Sequence, residues 1–233
     1  MRHLVVLLLF SVLIPVPLAA QWEAWTGVAL ENEVNKNYGY LFEMEHRRTL
    51  AGDPEETYLI LLASNFALAK KLSLTLGTRL RPGAAEDPSI LRVFSDLNHK
   101  LPLGKSPFTL EGRLRYQQDR PLGEDGSLRR VSIRPRLGVA TKINEQLSFI
   151  AEMEGRFRFD SRDEWSRVRF TTGLEYVVSD RISLELFWRQ EDRINQASPS
   201  RDIILGLYAD YTLPSGRERS WKARNPFGRR ITW

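Results

Sequence analysis

Between Leu147 and Phe159 apolar and polar side chains alternate. One parity carries Leu147, Phe149, Ala151, Met153, Gly155, Phe157 and Phe159. The other carries Ser148, Ile150, Glu152, Glu154, Arg156 and Arg158. Successive side chains of a strand point to opposite faces, so this segment is a strand with one apolar and one mostly charged face. Phe108–Gln117, Val168–Val178 and Ile182–Arg189 repeat the pattern. Eleven such runs are predicted, near 22–32, 37–47, 57–68, 71–81, 89–101, 108–118, 128–142, 147–159, 165–178, 182–193 and 201–213. No amphipathic helix of similar quality interrupts them.

The length of the runs bears on the class. Soluble strands usually have about 5–6 residues. A tilted strand needs about 9–11 residues to cross a bilayer. Long strands joined in sequence by tight turns predict an up-and-down meander. Polar faces with both signs of charge in mid-strand suit a narrow lumen that pairs them. The fold expected is all-β: a closed antiparallel up-and-down transmembrane β-barrel of 10–12 strands, with an N-terminal signal peptide. Alternation alone does not exclude a soluble secreted barrel of the lipocalin type, which is the alternative.

The start of the chain favours export. Met1-Arg2-His3 is basic, Leu4–Ala20 is almost wholly apolar, and the stretch ends Pro17-Leu18-Ala19-Ala20. That is the layout of a secretory signal, with cleavage expected near Ala20. Residues 21–213 are then the barrel, and 214–233 a basic tail. The chain has 233 residues and a formal net charge of +5. The leader contributes +1 and the tail +5, so the body carries −1. The basic character is therefore no argument for nucleic acid, and none is expected as a partner. There is no cysteine, which excludes a disulfide scaffold, a thiol nucleophile and a Cys-based zinc site.

The polar parity of the runs supplies a lumen charge cluster, pore-lining or structural. It comprises Glu43, Glu45, Glu111, Arg113, Arg115, Arg134, Arg136, Glu152, Glu154, Arg156, Arg167, Arg169, Glu175, Glu185 and Arg189. Arg79 shares that parity. A turn near Ile143-Asn144-Glu145 predicts a hairpin that sets Arg136 opposite Glu152, Arg134 opposite Glu154 and Lys142 opposite Gln146. Pro135 falls on the outward parity, where it gives up a ladder hydrogen bond and predicts a local bulge. Aromatic residues gather near strand ends, among them Trp22, Trp25, Tyr40, Tyr58, Tyr116, Trp165, Tyr176 and Tyr208, as interfacial girdles do.

Connections alternate between short and longer ones, and in bacterial barrels the short turns are periplasmic. Eleven runs are an odd number. Either runs 2–11 form a ten-stranded barrel with 22–32 as an accessory strand, or the tail supplies a twelfth.

Several stretches resemble a known family: Gln21-Trp22-Glu23-Ala24-Trp25-Thr26-Gly27, Glu43-Met44-Glu45-His46-Arg47, Leu76-Gly77-Thr78-Arg79, Glu111–Gln117, Arg169–Tyr176 and Ile204–Tyr211. The chain is similar to an uncharacterised family of outer-membrane β-barrels of Gram-negative bacteria, catalogued as a domain of unknown function. The resemblance implies fold and location and supplies no catalytic residues.

The expected role is a non-enzymatic structural barrel or a narrow, porin-like pore for small solutes in the cell outer membrane. It would be reached through the periplasm, with outer-membrane lipid, lipopolysaccharide and the barrel assembly machinery as partners. A lipid-modifying or hydrolytic outer-membrane enzyme is the alternative. Outside the leader the chain holds only His46 and His99, and no nucleophile is spaced to either as a hydrolase requires. No catalytic residue, metal cluster, phosphate loop or cofactor fingerprint is read, so no cofactor is expected.

Overall fold

The computed structural model describes residues 20–50, 55–83, 88–123, 130–160, 163–195 and 198–214. The expected signal peptide up to residue 19 and the tail from 215 onward lie outside the described residues. Every regular element described is a strand: β1 Ala20–Glu33, β2 Tyr38–Thr49, β3 Glu56–Ala69, β4 Leu72–Arg81, β5 Ile90–Pro102, β6 Phe108–Pro121, β7 Arg130–Lys142, β8 Leu147–Arg158, β9 Glu164–Val177, β10 Ile182–Arg193 and β11 Ser200–Thr212. The eleven runs read from alternation correspond to these strands one for one.

The strands close into one barrel in which each pairs antiparallel with its sequence neighbours. The closing seam is different. β1 runs parallel to β11, in register from Ala20↔Arg201 to Glu31↔Thr212. A wholly antiparallel barrel of ten or twelve strands is thereby corrected to eleven strands with one parallel pair. The reason is topological. The chain reverses at each of ten connections, so the first and last strands point the same way and can meet only in parallel. β1 is a full wall strand, hydrogen-bonded on both edges, and leaves no edge exposed.

The connections segregate by end. Those of 34–37, 70–71, 103–107, 143–146 and 178–181 lie at one end, and the strand ends that flank the longer connections lie at the other. The short set is built from turn chemistry. Asn144 Oδ1 accepts from the Gln146 and Leu147 amides at 2.9 and 2.7 Å, and Ser179 Oγ from Arg181 and Ile182. Gly104, at φ 62°, supplies a left-handed residue to the 103–107 turn.

Two local expectations are corrected. The β7–β8 hairpin sets Arg136 opposite Glu154, Gly138 opposite Glu152 and Lys142 opposite Ser148, two residues away from the register predicted. The four-residue turn, closed by Ile143 and Asn144 amides donating to the Leu147 carbonyl, fixes the offset. Pro135 makes no bulge. The β7–β8 pairing simply lapses at Pro135 and resumes in the same register, Arg136↔Glu154 on one side and Ile133↔Phe157 on the other. The residue across that gap is Gly155, against which the Trp165 ring packs. Bulges do occur where β3 meets β4 and where β8 meets β9.

The wall is apolar outside and polar inside. Val28, Met44, Leu62, Leu97, Leu114, Leu137, Met153, Leu186 and Leu207 are exposed on the outer face. Charged residues of the opposite parity are buried, including Glu45, Asp96, Arg115, Glu154, Arg189 and Glu191. This is the reverse of a soluble barrel, where apolar faces meet inside.

Candidate functional site

The site is built inside the barrel, because alternation aims every second side chain there and most of the charged ones are on that parity. Three regions fill it.

The first is apolar. Trp25, Phe187, Ile204 and Tyr208 form one buried cluster on β1, β10 and β11. Ala29, Leu41, Leu61, Ala63 and Phe94 form another on β1–β3 and β5. Inward glycines make room for the rings. Tyr208 lies over Gly27, Phe187 over Gly206 and Phe94 over Gly77, each ring occupying the space a Cβ would need. This lets aromatics reach beyond the adjacent strand, and Tyr208 Oη donates to Glu45 Oε2 on β2. Trp25 and Tyr208 are therefore interior residues and not members of an outer girdle. Trp25 is 3% exposed, with the Arg47 guanidinium 3.5 Å from its ring centre. Trp22, Tyr40, Tyr58, Tyr116, Trp165 and Tyr176 do face outward and are exposed.

The second region is a network of guanidinium and carboxylate groups. Glu154 on β8 accepts from Arg113 on β6, Arg134 on β7 and Arg169 on β9, the last at 3.3 Å. Arg169 and Arg167 also donate to Glu191 on β10. In the other direction Arg134 donates to Gln117 at 3.0 Å, and Gln117 to Asp119 at 3.4 Å. Asp119 takes both forks of Arg92 at 2.6 and 2.8 Å. The chain of contacts thus runs around the wall from β5 to β10. Arg115 and Asp96 form a further bidentate pair at 2.7 and 2.7 Å. Ionised groups out of water are costly unless their partners are close and well aligned, and this arrangement supplies such partners.

All fifteen residues of the predicted charge cluster occupy the inward parity. The structure joins Arg113, Arg134, Glu154 and Arg169 in one contact set, and pairs Arg136 with Glu152 at 3.0 Å. Arg134 and Arg136 still reach Glu154 and Glu152 as the predicted hairpin has it. Both contacts run diagonally to the strands, since in each the two backbones are two residues out of direct register. Glu43, Glu111, Glu175 and Glu185 lie elsewhere on the same inner surface. Arg156 is 3.6 Å from Asp119, and Arg189 donates to Thr171 at 2.9 Å.

Sequence reasoning missed Arg92, Asp96, Asp119 and Glu191. Arg92 and Asp96 share the inward parity with Phe94, and Glu191 shares it with Phe187. That parity does not read as polar until the rings are seen to lie flat over glycines. Asp119 falls just past the predicted end of its run. The two described histidines lie on the outward parity. His46 stacks on Tyr58, ring centres 4.8 Å apart, with Nε2 3.7 Å from Glu56, and His99 is exposed.

The third region is a cavity of about 510 Å³ at the end that carries the longer connections. Its lining includes eleven arginines against three carboxylates, those of Glu23, Glu55 and Asp119. Most of these arginines are held by carboxylates at or beneath the lining, as Arg193 is by Asp202 at 2.9 Å. Arg79 and Arg81 on β4 and Arg130 on β7 have no carboxylate within 4.0 Å among the described residues.

A family model described as "Protein of unknown function (DUF2490)" matches residues 22–201. No curated protein matches the chain.

Proposed function

We propose, for a chain that belongs to this family of proteins of unknown function, that the barrel spans the bacterial outer membrane and is closed to through passage. Its role is structural or ligand-binding, not that of an open pore or an enzyme. The observation that carries the membrane part is the inversion of the wall. Leucine, valine and methionine are exposed around the outside, while arginine and glutamate are buried within. In water this leaves apolar surface unburied at about 25 cal/mol per Å². In a bilayer the same surface is matched to its solvent, and a closed ring of strands satisfies every backbone group there. A cleaved leader would bring the chain to the periplasm, and lipid, lipopolysaccharide and the assembly machinery would be its partners during and after insertion.

The filled centre supports the closed state. Arg115, Arg189, Tyr208, Phe187, Ile204, Gln117 and Asp96 are each at most 2% exposed. A water-filled channel through the middle would wet these side chains. An enzyme is disfavoured because the two described histidines, His46 and His99, lie on the outward parity and not in the polar interior.

The test is the refolded chain in planar bilayers, with expression in a Gram-negative host. The protein should sediment with the outer membrane, resist alkaline extraction, migrate faster in gels before boiling than after, and give no unitary current steps. Discrete steps of fixed size would overturn the closed reading. Recovery in the soluble fraction would overturn the membrane reading. A changed lipid A or phospholipid profile on overexpression would favour an enzyme.

A further inference from the structure

We infer that the cavity at the longer-loop end is a binding site for small molecules that carry more than one phosphate group. The inference does not depend on the barrel spanning a membrane, because the site is enclosed by the barrel's own strands.

Charge is the first observation. Eleven arginines line the cavity against three carboxylates. Counting also the five further carboxylates that hold them, Glu45, Glu56, Glu154, Glu191 and Asp202, an excess of three positive charges remains among the described residues. Like charges gathered between low-dielectric walls raise the local concentration of anions.

Unused hydrogen-bonding capacity is the second. Arg79, Arg81 and Arg130 lack a carboxylate within 4.0 Å among the described residues, and they lie on strands separated by β5 and β6. Arg156 Nε and Arg193 Nε, on two further strands, are buried and have no acceptor. A buried donor left unmade costs about 1–3 kcal/mol, and more when charged. Guanidinium groups thus line the cavity from four strands, and those of Arg79, Arg81 and Arg130 have no carboxylate partner among the described residues.

The geometry of these donors selects the ligand class. A carboxylate is planar and is saturated by one or two guanidinium forks. A phosphate is tetrahedral, carries up to two charges, and accepts from several directions at once. Donors spread over β4, β7, β8 and β10 suit the second. The volume of about 510 Å³ lies within the range of small-molecule sites and exceeds what a single orthophosphate fills. Arg92, Arg134, Arg167 and Arg169 are locked by carboxylates and form a rigid floor, so little ordering is required on binding. The phosphates could belong to a soluble solute or to a lipid headgroup at the rim.

Calorimetric titration of the full refolded chain in zwitterionic detergent separates these sources. One arm uses inorganic tripolyphosphate. The other uses the same detergent doped with cardiolipin, whose headgroup carries two phosphates, compared with undoped micelles. Saturable one-site binding is expected, weakened at least about tenfold by Arg79→Gln/Arg81→Gln/Arg130→Gln and weakened by added salt. Lys142→Gln, at the opposite end, should leave it unchanged. Binding of tripolyphosphate alone assigns a soluble ligand; cardiolipin that competes with it assigns a headgroup. Absence of saturable binding in both arms overturns the inference. So does equal affinity in the triple variant, which would assign binding to the basic tail. Should the triple variant fail to refold, Arg130→Gln alone, at the exposed start of β7, should weaken binding about threefold or more, and unchanged binding there overturns the inference.

Discussion

The hydroxyl of Tyr208 on β11 donates to Glu45 on β2 by passing over Gly27 on the intervening β1. A Cβ at Gly27 would stand 2.2 Å from the tyrosine ring. Gly27→Ala must therefore displace the ring, loosen the apolar cluster with Trp25 and Phe187, and take a donor from a buried carboxylate. A loss of about 2–4 kcal/mol is expected. Tyr208→Phe keeps the ring and loses the donor only, and should cost about 1–2 kcal/mol because Arg47 still serves Glu45. Urea unfolding of the two variants in detergent checks the order. Gly27→Ala as mild as Tyr208→Phe would show that the ring is not confined.

The parallel seam can be trapped. Thr26 and Leu207 are register partners on the outward parity of β1 and β11, and the chain has no cysteine to interfere. Thr26→Cys/Leu207→Cys should form a disulfide on oxidation, since paired strands bring Cα atoms within the bridging range of about 4.4–6.8 Å. Were β2 joined directly to β11 in a ten-stranded barrel, with β1 aside, no bridge would form. A shift in non-reducing gel mobility reads the outcome.

Glu154 is shared by three guanidinium groups on three other strands. Glu154→Gln keeps the shape and removes the charge that all three use, so a loss of about 3–5 kcal/mol is expected. Glu152→Gln weakens the ion pair with Arg136 and should cost less. Comparison of their unfolding midpoints decides whether the shared carboxylate is the keystone of the network.

Position 186 tests what the outer wall faces. Leu186 is 56% exposed near the middle of β10. Leu186→Arg should cost about 2–4 kcal/mol on folding into vesicles if that face meets the hydrocarbon midplane. A water-facing site would change by only about 0.5 kcal/mol. A near-neutral value in vesicle refolding would move the face out of the membrane.

Much of the wall was legible in the chain, because the direction of a strand side chain is a local property. Parity alone puts Glu152, Glu154 and Arg156 on one face and Phe149, Met153 and Phe157 on the other, and so predicts eleven strands with the correct inner surface. Register is another matter. A slip of two residues leaves every side chain on its own face, so the alternation of β7 and β8 is equally content with Arg136 opposite Glu152 or opposite Glu154. Turn geometry decided between them. Closure is more remote still: whether β11 meets β1 or β2 depends on strands some 180 residues apart.

What the sequence by itself determined is the strands, their two faces and the polarity of each, since all of these follow from a repeat of two. Only the tertiary structure decided the parallel seam, the seating of Trp25 and Tyr208 inside, and the gathering of Arg113, Arg134 and Arg169 on Glu154. It likewise decided the arginine cavity, whose lining comes from most of the eleven strands. These are long-range facts. They arise from which strands come to face one another across a closed lumen, and no local pattern of residues carries that information.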